Sequence, residues 1–421
     1  MKFRRVVVTG LGAVTPIGVG RDRFLEGLTA GRNGIARITG FDPSPFSSQM
    51  AAEVHGFDPF EWIEAKLAKR MDRFSHFAVA AATMAIRDAG LDRERFSAEM
   101  AGVIIGSGIG GSATIEEGER LIHERGPGAL SPFFVSKVLI NMAACMVSII
   151  HGLKGPLSAP SVACSTGANA IGDAFRIVQR GDADIMLAGG AEAAITPLAF
   201  GGFCATRSMS QCNDDPASAS RPFDLQRDGF VMGEGSGVVV LEDLNHALAR
   251  HATIYGELVG YGNTADAFHF TAPEPSGDGM VRVMHRAMAD AGVGPGDIDY
   301  VNAHGTSTPL NDKIESAAIM RVFGDHAGRL KISSNKSMIG HLLAAAGAVE
   351  FVATVLALHS GIVPGTINLN TPDPDCPLDY VAGNALTAHP QVAMSNSFGF
   401  GGGNACLIAR TYRGEPSTSP N

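Results

Sequence analysis

Arg87-Asp88-Ala89-Gly90-Leu91, running on to Val103-Ile104-Ile105-Gly106-Ser107-Gly108, reads as a helix end, a loop, a buried strand and a glycine turn. Ala289-Asp290-Ala291-Gly292-Val293, running on to Tyr300-Val301-Asn302-Ala303-His304-Gly305, repeats that reading later in the chain. Two further pairs keep the same order. Ala159–Cys164 opens a helical stretch near residues 165–180, and Ile332–His341 opens another near residues 342–360. Phe230-Val231-Met232-Gly233-Glu234-Gly235 precedes the apolar Val238–Leu241, as Phe398-Gly399-Phe400-Gly401-Gly402-Gly403 precedes Ala405–Ile408. Matches in one preserved order predict a duplicated α/β unit, with similar halves at residues 1–250 and 251–412. Chance similarity in a Gly- and Ala-rich chain is the alternative. The strands read as short and apolar on both faces, as in a sheet covered on both sides. Residues 413–421, carrying Pro, Ser and Thr, predict a disordered tail.

The composition limits what such a unit can do. Hydrophobic residues are 45% of the 421 and charged residues 18%, so a large core is expected. Glycine reaches 52 of 421, about 12% against an average near 7%, which predicts many tight strand-to-helix turns. A formal net charge of −9 argues against bulk binding to nucleic acid or an anionic membrane, since both need a basic surface. The 6 cysteines form no CxxC pair, so they read as reduced thiols of a cytoplasmic protein. Met1-Lys2-Phe3-Arg4-Arg5 before Val6-Val7-Val8 resembles the start of a signal peptide. Thr9, Gly10 and Gly12 break the apolar run, and a first strand is the better reading. The longest apolar run is taken as Met142–Ile150, too short to span a bilayer.

Turns at the carboxyl ends of α/β strands gather at one crevice, where such folds bind ligands. Cys164 sits at a turn of this kind, between a strand read over Ser158–Ala163 and a helix beginning near Ser165. The positive end of that helix favours a thiolate there. A buried structural cysteine is the plain alternative. His304, in Asn302-Ala303-His304-Gly305-Thr306-Ser307-Thr308, is flanked by small residues and hydroxyls and makes a poor core filler. His341 ends Lys336-Ser337-Met338-Ile339-Gly340-His341, and Glu350 follows on the same apolar helix. A buried glutamate needs a partner, for which Lys336 is the candidate. The loop Asn396–Asn404 supplies N–H groups that could hold an oxyanion, with Phe400 as an aromatic gate; a plain hairpin turn is the alternative. Gly106-Ser107-Gly108-Ile109-Gly110-Gly111 satisfies the dinucleotide pattern, which would make the chain an NAD-dependent oxidoreductase. It lies outside a first βαβ unit and lacks a second strand ending in an acid, so nicotinamide binding is not expected. No His, Cys and Asp spacing suits a metal.

Taken together, Ala163-Cys164-Ser165-Thr166-Gly167, His304-Gly305-Thr306-Ser307-Thr308, Lys336-Ser337-Met338-Ile339-Gly340-His341 and Gly399-Phe400-Gly401-Gly402 resemble the β-ketoacyl-acyl carrier protein synthases, most closely the synthase II type. The resemblance runs from Val6 to about Arg410. It implies a thiolase-type fold, two similar halves in a five-layered αβαβα arrangement, and a homodimer. The implied reaction is decarboxylative condensation of malonyl-carrier with an acyl-enzyme in fatty acid elongation. Polyketide or specialised lipid synthesis is the nearest alternative, and a non-catalytic partner subunit a third, opposed by the intact Cys-His-His set. The catalytic set implied is Cys164, His304, His341, Lys336, Glu350 and Phe400. Thr306 and Thr308 would meet the pantetheine arm. Ile109, Phe203 and Leu343 would meet the acyl chain, with Phe133 or Phe134 reaching across the dimer and Phe398 also meeting substrate; ordinary core packing is the alternative for each of these apolar residues. Lys66, Lys69, Arg70 and Arg207 would meet an acidic carrier protein; Lys66, Lys69, Arg70 and Arg73 are at near-helical spacing, and a solvated helix face is the alternative. No redox or metal cofactor is implied, because substrates arrive on the carrier's phosphopantetheine. Gly403, where the family usually has threonine, and Ile339, where threonine is frequent, depart from the pattern and leave the substrate open.

Overall fold

The computed structural model describes residues 3–94 and 96–414; the expected tail lies outside the described residues from 415 onward. The strands that organise it are β1 (Val6–Thr15), β2 (Ala101–Gly106), β3 (Leu157–Ser158), β4 (Ile185–Glu192) and β5 (Gly235–Asp243). They are followed by β6 (Gly256–Ala265), β7 (Tyr300–Asn302), β8 (Lys331–Ser333), β9 (Val392–Phe398) and β10 (Gly403–Arg410). The principal helices are α1 (Arg73–Asp88), α2 (Met142–His151), α3 (Thr166–Arg180), α4 (Asp278–Ala291), α5 (Pro309–Phe323) and α6 (Ala346–Ser360).

In space the strands run β3-β2-β4-β5-β1 and continue β6-β10-β9-β7-β8. β2 is parallel to β3 and β4, while β4–β5 and β5–β1 are antiparallel. β7 is parallel to β8 and β9, while β9–β10 and β10–β6 are antiparallel. The two sets of pairings are therefore the same. They join only where Val6–Val8 of β1 meet Gly256–Leu258 of β6, a short antiparallel seam between two packed layers. α1 and α2 cover the outer face of the first layer, and α4 and α5 that of the second. α3 and α6 lie between, touching strands of both. This is the five-layered αβαβα arrangement of the thiolase-type fold.

Two expectations are corrected and one, on glycine, is widened. The central strands are not short: β1 and β6 have 10 residues each, and only β3, β7 and β8 are brief. Glycine serves close packing as well as turns. A β-carbon at Gly10 or Gly12 would stand 2.2 Å from the Ala85 carbonyl or 1.9 Å from that of Ala81, so β1 lies directly on the alanine-rich face of α1. The longest apolar helical stretch is not Met142–Ile150 but Leu343–Ser360, long and apolar enough to cross a membrane. It is buried instead as the middle layer, where a helix meets protein on every side and needs no polar face.

Candidate active site

Cys164 precedes α3, but the preceding segment is not the strand read from sequence: β3 is only Leu157–Ser158, and Ala163 is left-handed with φ 45°. Such a conformation costs an alanine about 1–2 kcal/mol. Side chains of the next helical turn hold it. Val162 N–H donates to Thr166 Oγ1 at 2.7 Å, Thr166 Oγ1 donates to the Ala163 carbonyl at 2.7 Å, and Ser165 Oγ donates to the Val162 carbonyl at 2.9 Å. The turn aims the thiol into a cavity of about 400 Å³ that is also lined by His304, His341 and Phe400.

His304 follows β7, and His341 follows a short helix after β8. Their ring centroids are 5.3 Å apart at 85°. Burial holds both imidazoles well below the usual histidine value, and the Lys336 cation adds to it. Both are therefore neutral near pH 7. Lys336 Nζ, a donor only, stands 3.5 Å from His304 Nδ1, and Leu343 N–H donates to His341 Nδ1 at 3.3 Å. Each ring thus carries its proton on Nε2. Lys336 also donates to the His304 carbonyl at 2.6 Å and to Glu350 Oε1. The pair expected from sequence is present, with both side chains 1% exposed.

The loop after β9 is a hairpin turn, as the plainer reading had it, but it packs onto the cysteine. A β-carbon at Gly399 would stand 3.2 Å from the Cys164 nitrogen, and Phe400 N–H donates to the Cys164 sulfur. That bond and Lys336 stabilise a thiolate, yet burial outweighs them and pushes the thiol up to about 11. The rise from 9.0 is worth about 3 kcal/mol. A helix terminus supplies at most about 2 kcal/mol, so the resting sulfur is a protonated thiol, contrary to the expectation from the helix end alone.

Phe203, Leu343, Phe398, Thr306, Thr308 and Arg207 also line the cavity. Thr306 and Thr308 share a hydroxyl–hydroxyl bond of 2.9 Å. Ile109 is outside that lining but packs in the apolar cluster holding Phe203 and Leu343. Phe133 is outside it too, with the Arg70 guanidinium 4.6 Å from its ring centroid. Lys66, Lys69 and Arg70 are exposed. The helical row expected there is broken after Ala68, and Arg73 turns inward to Glu234 at 2.6 Å. Gly403 has a local reason: a β-carbon would lie 2.5 Å from Val162 Cγ1, so threonine would collide with that valine. Ile339 is fully buried in the main core.

Two carboxylates at the site were not singled out in the sequence. Glu315 of α5 accepts the His304 and Gly305 N–H groups, both at 2.8 Å, and burial raises it to about 7. Glu192 ends β4 and accepts from Ser107 Oγ at 2.8 Å, Gly108 N–H at 2.9 Å and Ile109 N–H at 3.2 Å. The signal available for Glu192 was an acid closing an otherwise apolar strand. It also explains the Gly106–Gly111 loop, whose amides already hold the buried Glu192 carboxyl and are not free for a dinucleotide phosphate; burial raises that carboxyl above its ordinary value, with the four donors pulling the other way. Among the described residues no group of three or more His, Cys, Asp or Glu could hold a metal ion.

Residues 3–247 match the β-ketoacyl synthase N-terminal domain, and residues 255–370 match the C-terminal domain. The chain belongs to the β-ketoacyl synthase family. This synthase is 52% identical over 413 residues to the 3-oxoacyl-(acyl-carrier-protein) synthase 2 of Synechocystis sp., covering 98% of this chain and 99% of that one. It is 50% identical over 409 residues to the enzyme of the same name from Staphylococcus aureus, covering 97% and 99%. Among solved structures, a type II polyketide ketosynthase in complex with its acyl-carrier protein superposes with a TM-score of 0.91 at 36% identity, covering 98% of this chain and 100% of that one. A β-ketoacyl synthase from Burkholderia phymatum gives 0.90 at 39%, covering 97% and 100%.

Proposed function

We propose that this synthase is a 3-oxoacyl-(acyl-carrier-protein) synthase of the type II class, elongating fatty acyl chains in the cytoplasm as a homodimer. The carrying observation is one thiol facing two neutral imidazoles in a single cavity, with a backbone N–H already on the sulfur. The names of the relatives at 50% and 52% identity favour fatty acid elongation over the polyketide role named for a structure at 36%.

Cys164 sulfur attacks the acyl-carrier thioester, its proton leaving with the pantetheine thiol, and the acyl group becomes a thioester of Cys164. The N–H groups of Cys164 and Phe400 hold the tetrahedral oxyanion. Malonyl-carrier then enters with its pantetheine arm along Thr306 and Thr308. Its carboxylate carbon–carbon bond breaks, carbon dioxide leaves, and the electron pair remains as an enolate. The Nε2–H groups of His304 and His341 donate to the enolate oxygen. Neutral donors suit this task, since they keep their protons as negative charge develops. The enolate carbon attacks the acyl-Cys164 carbonyl; collapse breaks the carbon–sulfur bond, expels Cys164 as a thiolate that takes a proton from water, and leaves a 3-oxoacyl-carrier. Lys336, bound to the His304 carbonyl and Glu350, fixes the ring and supplies a positive field. Phe203, Leu343 and Phe398 line the acyl side, with Ile109 behind them and Phe133 offered across the dimer. Lys66, Lys69, Arg70 and Arg207 receive the acidic carrier. Residues 1–250 then supply the nucleophile, and 251–412 both histidines.

The test is Cys164→Gln in the purified chain supplied with acyl- and malonyl-carriers. Condensation should vanish while carbon dioxide release from malonyl-carrier persists, because the amide imitates an acylated cysteine. Continued elongation by Cys164→Gln would overturn the nucleophile assignment.

A further inference from the structure

Glu192 has no part in the steps above, yet its carboxylate is fully buried and takes donors from two separate segments. From the loop after β2 come Ser107 Oγ and the N–H groups of Gly108 and Ile109. From the turn after His341 comes the Ala344 N–H. The adjacent N–H of that turn, on Leu343, goes to His341 Nδ1 at 3.3 Å, and Leu343 itself is left-handed with φ 50°. The carboxylate therefore sits between Ile109 and Leu343, which pack in one apolar cluster with Phe203 and Phe230.

There is no slack around it. A β-carbon at Gly108 would stand 2.7 Å from Glu192 Oε2 and 3.4 Å from Ala344 Cβ, and one at Gly190 would stand 2.5 Å from the Ala344 carbonyl. A carboxylate accepting four donors is specific to this spacing. The isosteric amide has one acceptor oxygen and would turn an NH2 toward a backbone N–H. One or both segments must then withdraw.

We propose that Glu192 is a positioning residue for acyl-chain selection, holding the Ile109 loop and the Leu343 turn at a fixed separation and so setting how much room the apolar cluster beside the cavity leaves an acyl chain. The inference rests on the acyl-enzyme reading of the cavity. It extends that reading by assigning chain-length and branching preference to a buried carboxylate that need not touch the substrate.

The experiment measures the rate of Cys164 acylation, by intact-protein mass spectrometry, for straight and branched acyl-carriers of about four to sixteen carbons, a range wide enough to bracket what a cavity of about 400 Å³ takes. Wild type, Glu192→Gln and Gly108→Ala are compared, the last pressing a methyl group onto the carboxylate without removing it. Both variants should redistribute the profile, changing the ratio of branched or longest to preferred chains by about tenfold. A melting curve for each variant reports whether it is folded. Folded variants with the wild-type profile, scaled up or down uniformly, would overturn the inference; if Glu192→Gln does not fold, a folded Gly108→Ala with the wild-type profile would overturn it by itself. Wild-type protein that acylates Cys164 with no carrier of any length would instead sink the condensing-enzyme reading, a distinct result.

Discussion

Raising the pH tests whether the resting nucleophile is a thiol. Cys164 is buried, 7% exposed, and pushed up to about 11 from an ordinary 9.0, with the Phe400 N–H and Lys336 pulling the other way. The difference, 11 − 9 = 2 units, leaves about one hundredth of the thiolate of an unperturbed cysteine at pH 8. A more basic thiolate is a better nucleophile, with a Brønsted slope near 0.45, which recovers about eightfold. Iodoacetamide should therefore alkylate Cys164 in the native enzyme roughly ten times more slowly at pH 8 than in the unfolded chain. The native rate should still be climbing above pH 9.5. The assay is quantitative mass spectrometry of the Cys164 peptide across pH 6–11. Lys336→Met removes one of the opposing groups and should move the rise to higher pH still. A native rate that levels off below pH 8 would refute the reasoning, because it would mean a preformed thiolate paired with an imidazolium.

Other expectations follow from the same geometry. His304→Ala and His341→Ala should each slow carbon dioxide release from malonyl-carrier by about 10²–10³-fold, the usual cost of one oxyanion donor; normal release in both would remove the enolate role. Because both rings are held well below the usual histidine value, they should contribute no acid limb near pH 6.5 to decarboxylation; a limb there that persists in Glu315→Gln, which removes the neighbouring carboxyl raised to about 7, would mean the rings titrate in that range. Lys336→Met leaves Glu350 buried without its partner and should cost about 3–5 kcal/mol in urea unfolding, whereas a loss under 1 kcal/mol would mean the pair is not held as described. Charge reversal at Lys69 and Arg70 should raise KM for both carriers while sparing acylation by a small thioester; unchanged carrier kinetics would remove these residues from the docking surface.

The duplicated α/β architecture was legible in the sequence because its signals are local. Each unit carries an apolar strand, a glycine turn and a helix end in fixed order, and the matched pairings of β1–β5 and β6–β10 follow from that order. That Cys164, His304 and His341 meet in one cavity was legible for the same reason: each follows a strand at a turn of small or glycine residues, and such turns gather at one crevice. What no local pattern contains is the burial around those residues. The helix start at Ser165 argued for a thiolate, but the α3–α6 layer and the Phe400 turn exclude water and make desolvation the larger effect. Glu192 escaped notice because its donors come from the Ser107–Ile109 loop, 83–85 residues away, and Glu315 because nothing in the sequence shows that its helix turns it back onto the His304 and Gly305 N–H groups 11 and 10 residues upstream. Arg73 likewise looked like part of a basic row until the bend after Ala68 turned it toward Glu234. Sequence determined which groups can do chemistry and which turns present them; folding decided their protonation, their separation and their partners, since those depend on dielectric and distance, which exist only once the layers are packed.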